Sequence, residues 1–233
     1  MTASSPGIAG SPAPDTAIPH VSSQRRGRRI RFMKYDMRNF LEQCIERYIE
    51  LGGNRIKDKL KVVETPFLDE SKPEFDENPV KENDEIIETL PGVLGDIASA
   101  VLMKILYAAR MGRFDLIRPV SALASRITKW THLCDKRLHR LICYIHSSLE
   151  LFMYAWVGDP TNMIELVLYC DADLAGDRTD SKSTSGIFLC VIGPNTFVPL
   201  AALSKKQTSI SRSTPEAEIV ALAHGLYKEG VPA

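Results

Sequence analysis

Helical spacing of apolar residues dominates the middle of the chain. Asp36 is the expected N-cap of the first helix, and Gly52 and Gly53 are expected to end it. Pro119 falls where the first turn of a later helix tolerates proline. Apolar side chains recur at three- and four-residue steps in four segments, residues 36–53, 96–112, 118–130 and 135–150. The pattern predicts four helices, the last three packed on one another.

The hydrophobic period changes in the C-terminal third. The run IELVLYCD, 164–171, is almost continuously apolar, as in a strand buried on both faces. SGIFLCVIG, 185–193, and TFVPLAALS, 196–204, predict two further strands. Pro199 cannot donate a hydrogen bond to a neighbouring strand, so the third strand is expected at a sheet edge.

A last helix is predicted after these strands, over STPEAEIVALAHGLYKE, residues 213–229. Ser213 and Glu216 have the spacing of a capping box. The apolar positions expected to face the core are Ile219, Leu222, Ala223 and Leu226. The C-terminal third therefore has the order β-β-β-α, and the fold class of the whole chain is α+β.

Charge is distributed in blocks although the chain is neutral overall. Between Val21 and Phe40 there are seven basic residues and one acid, and between Glu64 and Glu88 there are ten acids and two lysines. The first 24 residues are rich in Ser, Pro, Ala and Gly. Such stretches bury too little apolar surface to offset their ordering entropy, so a disordered tail and a solvated linker are expected.

The composition favours a soluble intracellular protein, cytoplasmic or nuclear. No run of 18 apolar residues occurs, so we expect no membrane association, and the N-terminus lacks the layout of a signal peptide, so secretion is not expected. The five cysteines are odd in number and irregularly spaced, which favours reduced thiols. The run QRRGRRIRFMK, 24–34, is either a nucleic-acid-binding or nuclear patch or an ordinary basic tail.

Two motifs resemble the ribonuclease H domain of copia-type retrotransposon Pol polyproteins. They are YCDADLAGDRTDSKSTSG, 169–186, and SKKQTSISRSTPEAEIVAL, 204–222. Upstream, residues 102–130 and 136–150 are similar to the segment that joins reverse transcriptase to that domain, and VVETPFLDE, 62–70, is similar to the stretch that follows the polymerase core. The resemblance implies a helical connection region followed by a truncated ribonuclease H-like β-β-β-α unit.

The resemblance also implies a division into five parts. They are a disordered basic tail (1–32), a helix of the reverse-transcriptase-derived region (33–63), an acidic linker (64–90), a helical connection region (91–160) and an incomplete ribonuclease H-like domain (161–233). The family's first ribonuclease H strand is central in its sheet. Here its second flank is expected to be bare, and an unpaired apolar edge favours self-association.

The family's activity is metal-dependent cleavage of RNA in RNA–DNA hybrids, but the match is incomplete. The polymerase motif Tyr-x-Asp-Asp is absent, and the later strand and helices that carry the family's remaining catalytic acids have no counterpart in the sequence. We therefore expect this chain to be inactive by itself. The alternatives are a catalytically dead nucleic-acid-binding remnant and a non-functional product of a decayed element.

Matching the motifs residue by residue assigns the catalytic positions. Asp171 takes the first carboxylate position, and Glu218 takes the second because EIVA has the family's Glu-x-x-Ala spacing. Two Mg²⁺ ions held by such carboxylates activate water and stabilise the leaving oxygen. Asp173 points the same way as Asp171 on an extended chain, so it is either a third metal ligand or a solvated loop acid. With the later acids missing, Mg²⁺ binding is expected to be weak.

Basic and hydroxyl groups near these carboxylates are the candidate nucleic-acid contacts. They are Lys182, Ser183, Thr184, Lys205, Lys206 and Arg212. The resemblance implies that they face the backbone of an RNA–DNA hybrid or another nucleic acid, with salt-sensitive, sequence-independent contacts. The alternative is an ordinary solvated surface. A zinc site formed by Cys134, His139, Cys143 and His146 is a further candidate, although their spacing matches no common zinc pattern.

Overall fold

The computed structural model describes residues 30–68, 90–175 and 181–233. Most of the expected tail and most of the expected acidic linker lie outside these ranges. The strands are β1 (Arg31–Tyr35), β2 (Met153–Val157), β3 (Glu165–Asp173), β4 (Thr184–Gly193) and β5 (Thr196–Lys206). The helices are α1 (Arg38–Gly52), α2 (Gly95–Met111), α3 (Ile117–Ala124), α4 (His132–Ser147) and α5 (Thr214–Gly225). This mixture of helices and one antiparallel sheet confirms the α+β class.

Helices α1 to α4 form one hydrophobic core. Each of the four predicted helices is present, and their apolar stripes meet in a cluster that includes the fully buried Leu41, Leu102, Ile105 and Leu138. The predicted N-cap of α1 is wrong by one position: Met37 is the capping residue, and no side chain caps the helix. The Asp36 carboxylate instead accepts a hydrogen bond of 3.1 Å from the Arg38 N–H.

A buried carboxylate fixes the start of α2 against α4. Asp135, on α4, accepts hydrogen bonds from the backbone N–H groups of Val93 (2.7 Å) and Leu94 (3.1 Å). It also accepts a bond of 2.7 Å from the indole N–H of Trp130. Three donors compensate for the cost of burying this charged group, so Asp135 holds the segment that leads into α2. Among the helices of the described residues, none combines the length and hydropathy of a membrane-spanning helix.

The sheet has five strands in the order β1-β2-β5-β4-β3, and every neighbouring pair is antiparallel. β1 and β2 were not predicted, because RFMKY and MYAWV are short and lack a clean alternation of apolar and polar residues. β3, β4 and β5 follow one another as a meander, as the sequence predicts. Within the described residues β3 pairs with β4 alone, so β3 is an edge strand.

The prediction that Pro199 marks an edge strand is wrong. β5 lies between β2 and β4. The register pairs Leu189 with Ala201 and Cys190 with Pro199, so Leu200 has no partner opposite and the strand contains a β-bulge at this point. A bulge interrupts the regular ladder of hydrogen bonds, and a residue without an N–H is tolerated there in an interior strand.

The face of α5 that meets the sheet also differs from the prediction. Ala217 and Ala221 are fully buried and form a small cluster with Ala172 of β3. All four positions of the predicted core stripe are exposed, and Ile219 is 66% exposed. Alanine side chains let the helix backbone approach the strands closely. Near the end of α5, a Cβ added at Gly225 would lie 2.6 Å from the Cys170 sulfur, so small residues at this interface are required.

Candidate functional site

The expected site residues converge on one end of the sheet. β3 ends at Asp173, β4 starts at Thr184, β5 ends at Lys206, and these three residues are register partners. α5 begins nearby, because Ala217 in its first turns packs on Ala172 near the end of β3. The antiparallel meander therefore collects the carboxylates and the basic residues from separate parts of the sequence.

Asp171 projects from the face of the sheet opposite α5. Its neighbour Ala172 packs against α5. Asp173 forms an ion pair with Arg118 of α3, with Oδ2 3.2 Å from Nη2, and α3 packs on the other face. Because side chains alternate along a strand, Asp171 shares the face of Asp173. The carboxylate of Asp171 is exposed at this position.

Glu218 belongs to the opposite face. It follows Ala217 on α5 and is half-buried. Burial raises the pKa of the Cys170 thiol, and the negative charge of Glu218 raises it further. Cys170 points towards α5, so Glu218 lies beside β3 on that side. The backbones that carry Asp171 and Glu218 are neighbours across the Ala172–Ala217 contact, but Asp171 projects from β3 away from α5, whereas Glu218 is carried by α5 on the other side of the sheet.

Glu216 caps the helix, as the capping-box spacing predicts. The hydroxyl of Ser213 accepts a hydrogen bond of 3.4 Å from the Glu216 N–H. The Glu216 carboxylate accepts one of 2.7 Å from the Arg212 N–H. The capping-box spacing thus gives a capped helix, with the returning bond made one residue before the usual one. The loop acids Asp177 and Asp180 lie outside the described residues.

The candidate nucleic-acid contacts divide between the two faces. Lys205 is exposed and pairs in register with Ser185, on the α5 side, whereas Lys206 pairs with Thr184 on the other side. Arg212 is exposed just before α5. Ser183 is fully buried, and its hydroxyl accepts a hydrogen bond of 3.2 Å from the Ala175 N–H. A hydroxyl that is buried and engaged in this way offers little surface to a phosphate, and the expected contact of Ser183 stays a prediction.

Gln207 is a positioning residue that the sequence analysis missed. It is buried at the end of β5, and its amide N–H groups donate to Ser185 Oγ (3.1 Å) and to the carbonyl of Ala217 (2.9 Å). Its amide oxygen accepts a bond of 3.1 Å from Ser211 Oγ. These bonds tie α5 to β4 and fix the height of Glu218 along the sheet. A single buried glutamine leaves no trace in the hydrophobic period, so the pattern does not reveal it.

Three of the four candidate zinc ligands on α4 are engaged elsewhere. The Tyr48 hydroxyl lies 3.0 Å from His139 Nδ1, the Cys143 sulfur accepts a weak hydrogen bond from the Lys61 N–H, and Cys134 is buried in the helical core. Across residues 30–68, 90–175 and 181–233, no group of three or more His, Cys, Asp or Glu side chains is placed to hold a metal ion.

Comparison with known proteins gives one similarity that bears on origin. Over 109 residues, which are 45% of this chain, the sequence is 29% identical to the retrovirus-related Pol polyprotein from transposon RE1 of Arabidopsis thaliana. The match spans 7% of that protein. No protein-family model matches the chain, and no solved structure matches it. The similarity supports an origin in a retrotransposon Pol polyprotein.

Proposed function

We propose that this chain is a fragment of a copia-type retrotransposon polyprotein, from the end of the reverse transcriptase and the start of its ribonuclease H domain. The activity of the parent is metal-dependent cleavage of RNA in RNA–DNA hybrids. The observation that carries the proposal is the meander β3-β4-β5 followed by α5. The Ala172–Ala217 contact makes β3, which contains Asp171, a neighbour of α5, which contains Glu218. The similarity to a transposon Pol polyprotein supports the same origin.

The residues of the described ranges do not fit a two-magnesium centre. Such a centre requires several carboxylates that converge on one pair of ions. Asp171 projects from the face of β3 opposite α5, Glu218 is carried by α5, and Asp173 is engaged by Arg118. We therefore derive no catalytic step through Mg²⁺ and propose that this chain binds Mg²⁺ weakly and does not turn over a hybrid by itself.

Hydrolysis of a labelled RNA–DNA hybrid tests this proposal directly. The purified chain is incubated with the hybrid in Mg²⁺ beside two variants, Asp171→Asn and Glu218→Gln. We expect RNA cleavage at the background level in all three samples. Mg²⁺-dependent cleavage by the unaltered chain that disappears in Asp171→Asn would show that the carboxylates do assemble, and the proposed inactivity would be wrong.

The second candidate function, hybrid binding without cleavage, is favoured by the basic residues at the same sheet end. Lys205 and Arg212 are exposed there, on the side of α5. Contacts of this kind are made to phosphates and weaken as counterions compete. We expect the hybrid to bind at low salt and to dissociate as salt rises. The double change Lys205→Gln and Arg212→Gln should lower the slope of log K against log salt by about two, at about one per phosphate contact.

A matched control uses Lys57→Gln, an exposed lysine of the helical part. This change should leave the salt slope unaltered. Hybrid binding that is insensitive to salt, or equally reduced by the control, would remove the basis for a phosphate-binding surface at this end of the sheet.

A further inference from the structure

Aromatic side chains cross the whole sheet in one continuous row, with one residue from each strand. The aromatic row consists of Phe32 (β1), Trp156 (β2), Phe197 (β5), Phe188 (β4) and Tyr169 (β3). Phe32 is the register partner of Trp156, Trp156 of Phe197, and Phe188 of Tyr169. The ring centroids of Trp156 and Phe197 are 5.2 Å apart, those of Phe197 and Phe188 6.4 Å, and those of Phe188 and Tyr169 6.2 Å.

All members of the row lie on the face opposite α5. Tyr169 is two residues before Asp171 on β3 and shares its face by alternation. Directly opposed residues in an antiparallel sheet share a face. Phe188 is therefore on the same face as its partner Tyr169. By the same rule Phe197, Trp156 and Phe32 share one face. The contact between Phe197 and Phe188 joins the two halves. The row is therefore one surface feature.

The row is accessible at both ends and along part of its middle. Phe32 is 74% exposed and Tyr169 is 53% exposed. Trp156, Phe188 and Phe197 are half-buried. Between the sheet and the segment at Phe114 there is an open cleft of about 340 Å³, which Phe188 and Phe197 line. Phe114 covers part of the Phe188 ring, with the two ring centroids 6.2 Å apart, whereas Phe32 and Tyr169 at the ends keep most of their ring surface open to a ligand.

Positive charge accompanies the β1 end of the row. Lys34, two residues from Phe32 and on the same face, places its ammonium 3.3 Å from the centroid of the Phe152 ring. Arg38 lies over the same ring at 5.2 Å. Asp36 and Glu150 form ion pairs with these cations and neutralise part of their charge. Among the described residues around β1, the three cations Arg31, Lys34 and Arg38 still exceed the two acids by one charge.

We propose that the aromatic row is a binding surface for single-stranded nucleic acid. Unpaired bases stack on the rings, and Lys34, Arg31 and Arg38 attract the phosphates. Base stacking on aromatic side chains is tolerant of sequence, and cations along the strand supply the salt-dependent part of the affinity. The ligand class follows from the combination of open rings with positive charge. The proposal goes beyond the hybrid-binding function and is independent of it, because the bases of a hybrid are already paired and stacked.

Intrinsic tryptophan fluorescence offers a direct readout of stacking. The chain has two tryptophans, and Trp130 is buried with its N–H bonded to Asp135, so quenching by an added strand reports on Trp156. The probe is an oligothymidylate of about 15 nucleotides, in the range of site sizes for such surfaces. We expect quenching that saturates. An abasic strand of the same length should bind at least about tenfold more weakly, because it has phosphates but no bases.

Substitutions in the aromatic row test whether the oligothymidylate binds there. Phe32→Ala and Tyr169→Ala remove exposed rings, and both should weaken oligothymidylate binding in an anisotropy assay, Phe32→Ala by about tenfold. The effect of Tyr169→Ala should be the smaller, because Asp171 on the same face repels phosphates. Tyr227→Ala is the matched control, an 80% exposed aromatic residue after α5. Trp156→Phe should abolish the quenching and retain most of the affinity.

Three results would overturn the proposal: no binding of the oligothymidylate, equal binding of the abasic strand, or equal losses in Phe32→Ala and Tyr227→Ala. Circular dichroism confirms that each variant is folded. Should Phe32→Ala unfold, Tyr169→Ala and the abasic strand still decide between stacking and simple charge attraction. Loss of single-strand binding with intact hybrid binding would refute the aromatic row and leave the proposed function standing.

Discussion

At the scale of single residues, Arg113 is the centre of a buried polar network. The guanidinium of Arg113 is 2% exposed. It donates to both oxygens of Asp115 at 2.9 and 2.8 Å, and to the carbonyl and hydroxyl of Ser148 at 2.9 and 2.7 Å. The Tyr144 hydroxyl adds a bond of 3.0 Å to Asp115. This network joins the end of α2 to the end of α4.

The ion pair between Arg113 and Asp115 is buried on the arginine side, whereas the pair between Arg118 and Asp173 is exposed. Arg113→Met leaves Asp115 and Ser148 without their buried donor and should lower the free energy of unfolding by about 3 kcal/mol. Arg118→Met breaks the pair between Arg118 and Asp173, both about half exposed, and should cost less than about 1 kcal/mol. Urea unfolding of the two variants measures the difference. Equal losses of unfolding free energy in the two variants would show that burial does not determine how much each ion pair contributes to stability.

At the scale of elements, the alanine face of α5 is the feature that the hydrophobic pattern cannot predict. The sequence offers a larger apolar stripe, and the structure turns that stripe to the solvent because Ala217 and Ala221 permit the closer approach to β3 and β4. Periodicity measures how apolar a helix face is. It does not measure how closely a backbone has to approach a strand, which here decides the orientation.

Enlarging one alanine on each side of α5 tests this orientation. Ala221→Leu inserts extra methylene and methyl groups where no space exists and should destabilise the chain by about 1–3 kcal/mol. Ala223→Leu makes the same change at an exposed position and should alter stability by less than about 0.5 kcal/mol. Thermal or urea unfolding gives both values. If Ala223→Leu were the more damaging change, the stripe expected from the sequence would be the one that meets the sheet.

Elsewhere in the chain, too, the sequence predicts elements that have their own periodicity and does not predict features that depend on packing between elements. α1 to α4 follow from their amphipathic period, and the meander β3-β4-β5 follows from its apolar runs and turns. β1 and β2 add two strands whose short segments are stabilised by pairing with distant partners. Strand alternation places Asp171 and Asp173 on one face, but which face α5 covers depends on packing between elements, so the separation of Asp171 from Glu218 appears only in the structure.

At the scale of the whole molecule, the free edge of β3 is the surface through which we expect copies of the chain to associate. Within the described residues, β4 is the sole strand that pairs with β3, and Leu166 on it is 47% exposed. Unpaired N–H and C=O groups along such an edge accept a second strand. In antiparallel pairing of two copies, Glu165 of one approaches Asp173 of the other. This repulsion is screened by salt, so added salt should strengthen the association.

Light scattering at tens of micromolar should therefore show self-association that increases with salt. Leu166→Lys places a positive charge on the edge, which opposes pairing of two such strands, and should shift the chain towards the monomer. Leu200→Lys is the matched control: Leu200 is 46% exposed, nearly as much as Leu166, but β5 is an interior strand that lies between β2 and β4. It should leave the association unchanged. A monomer at every salt concentration, or equal effects of both lysines, would show that the β3 edge is not the contact. Dissociation by Leu166→Lys alone would instead identify the edge of β3 as the surface through which copies of this chain meet.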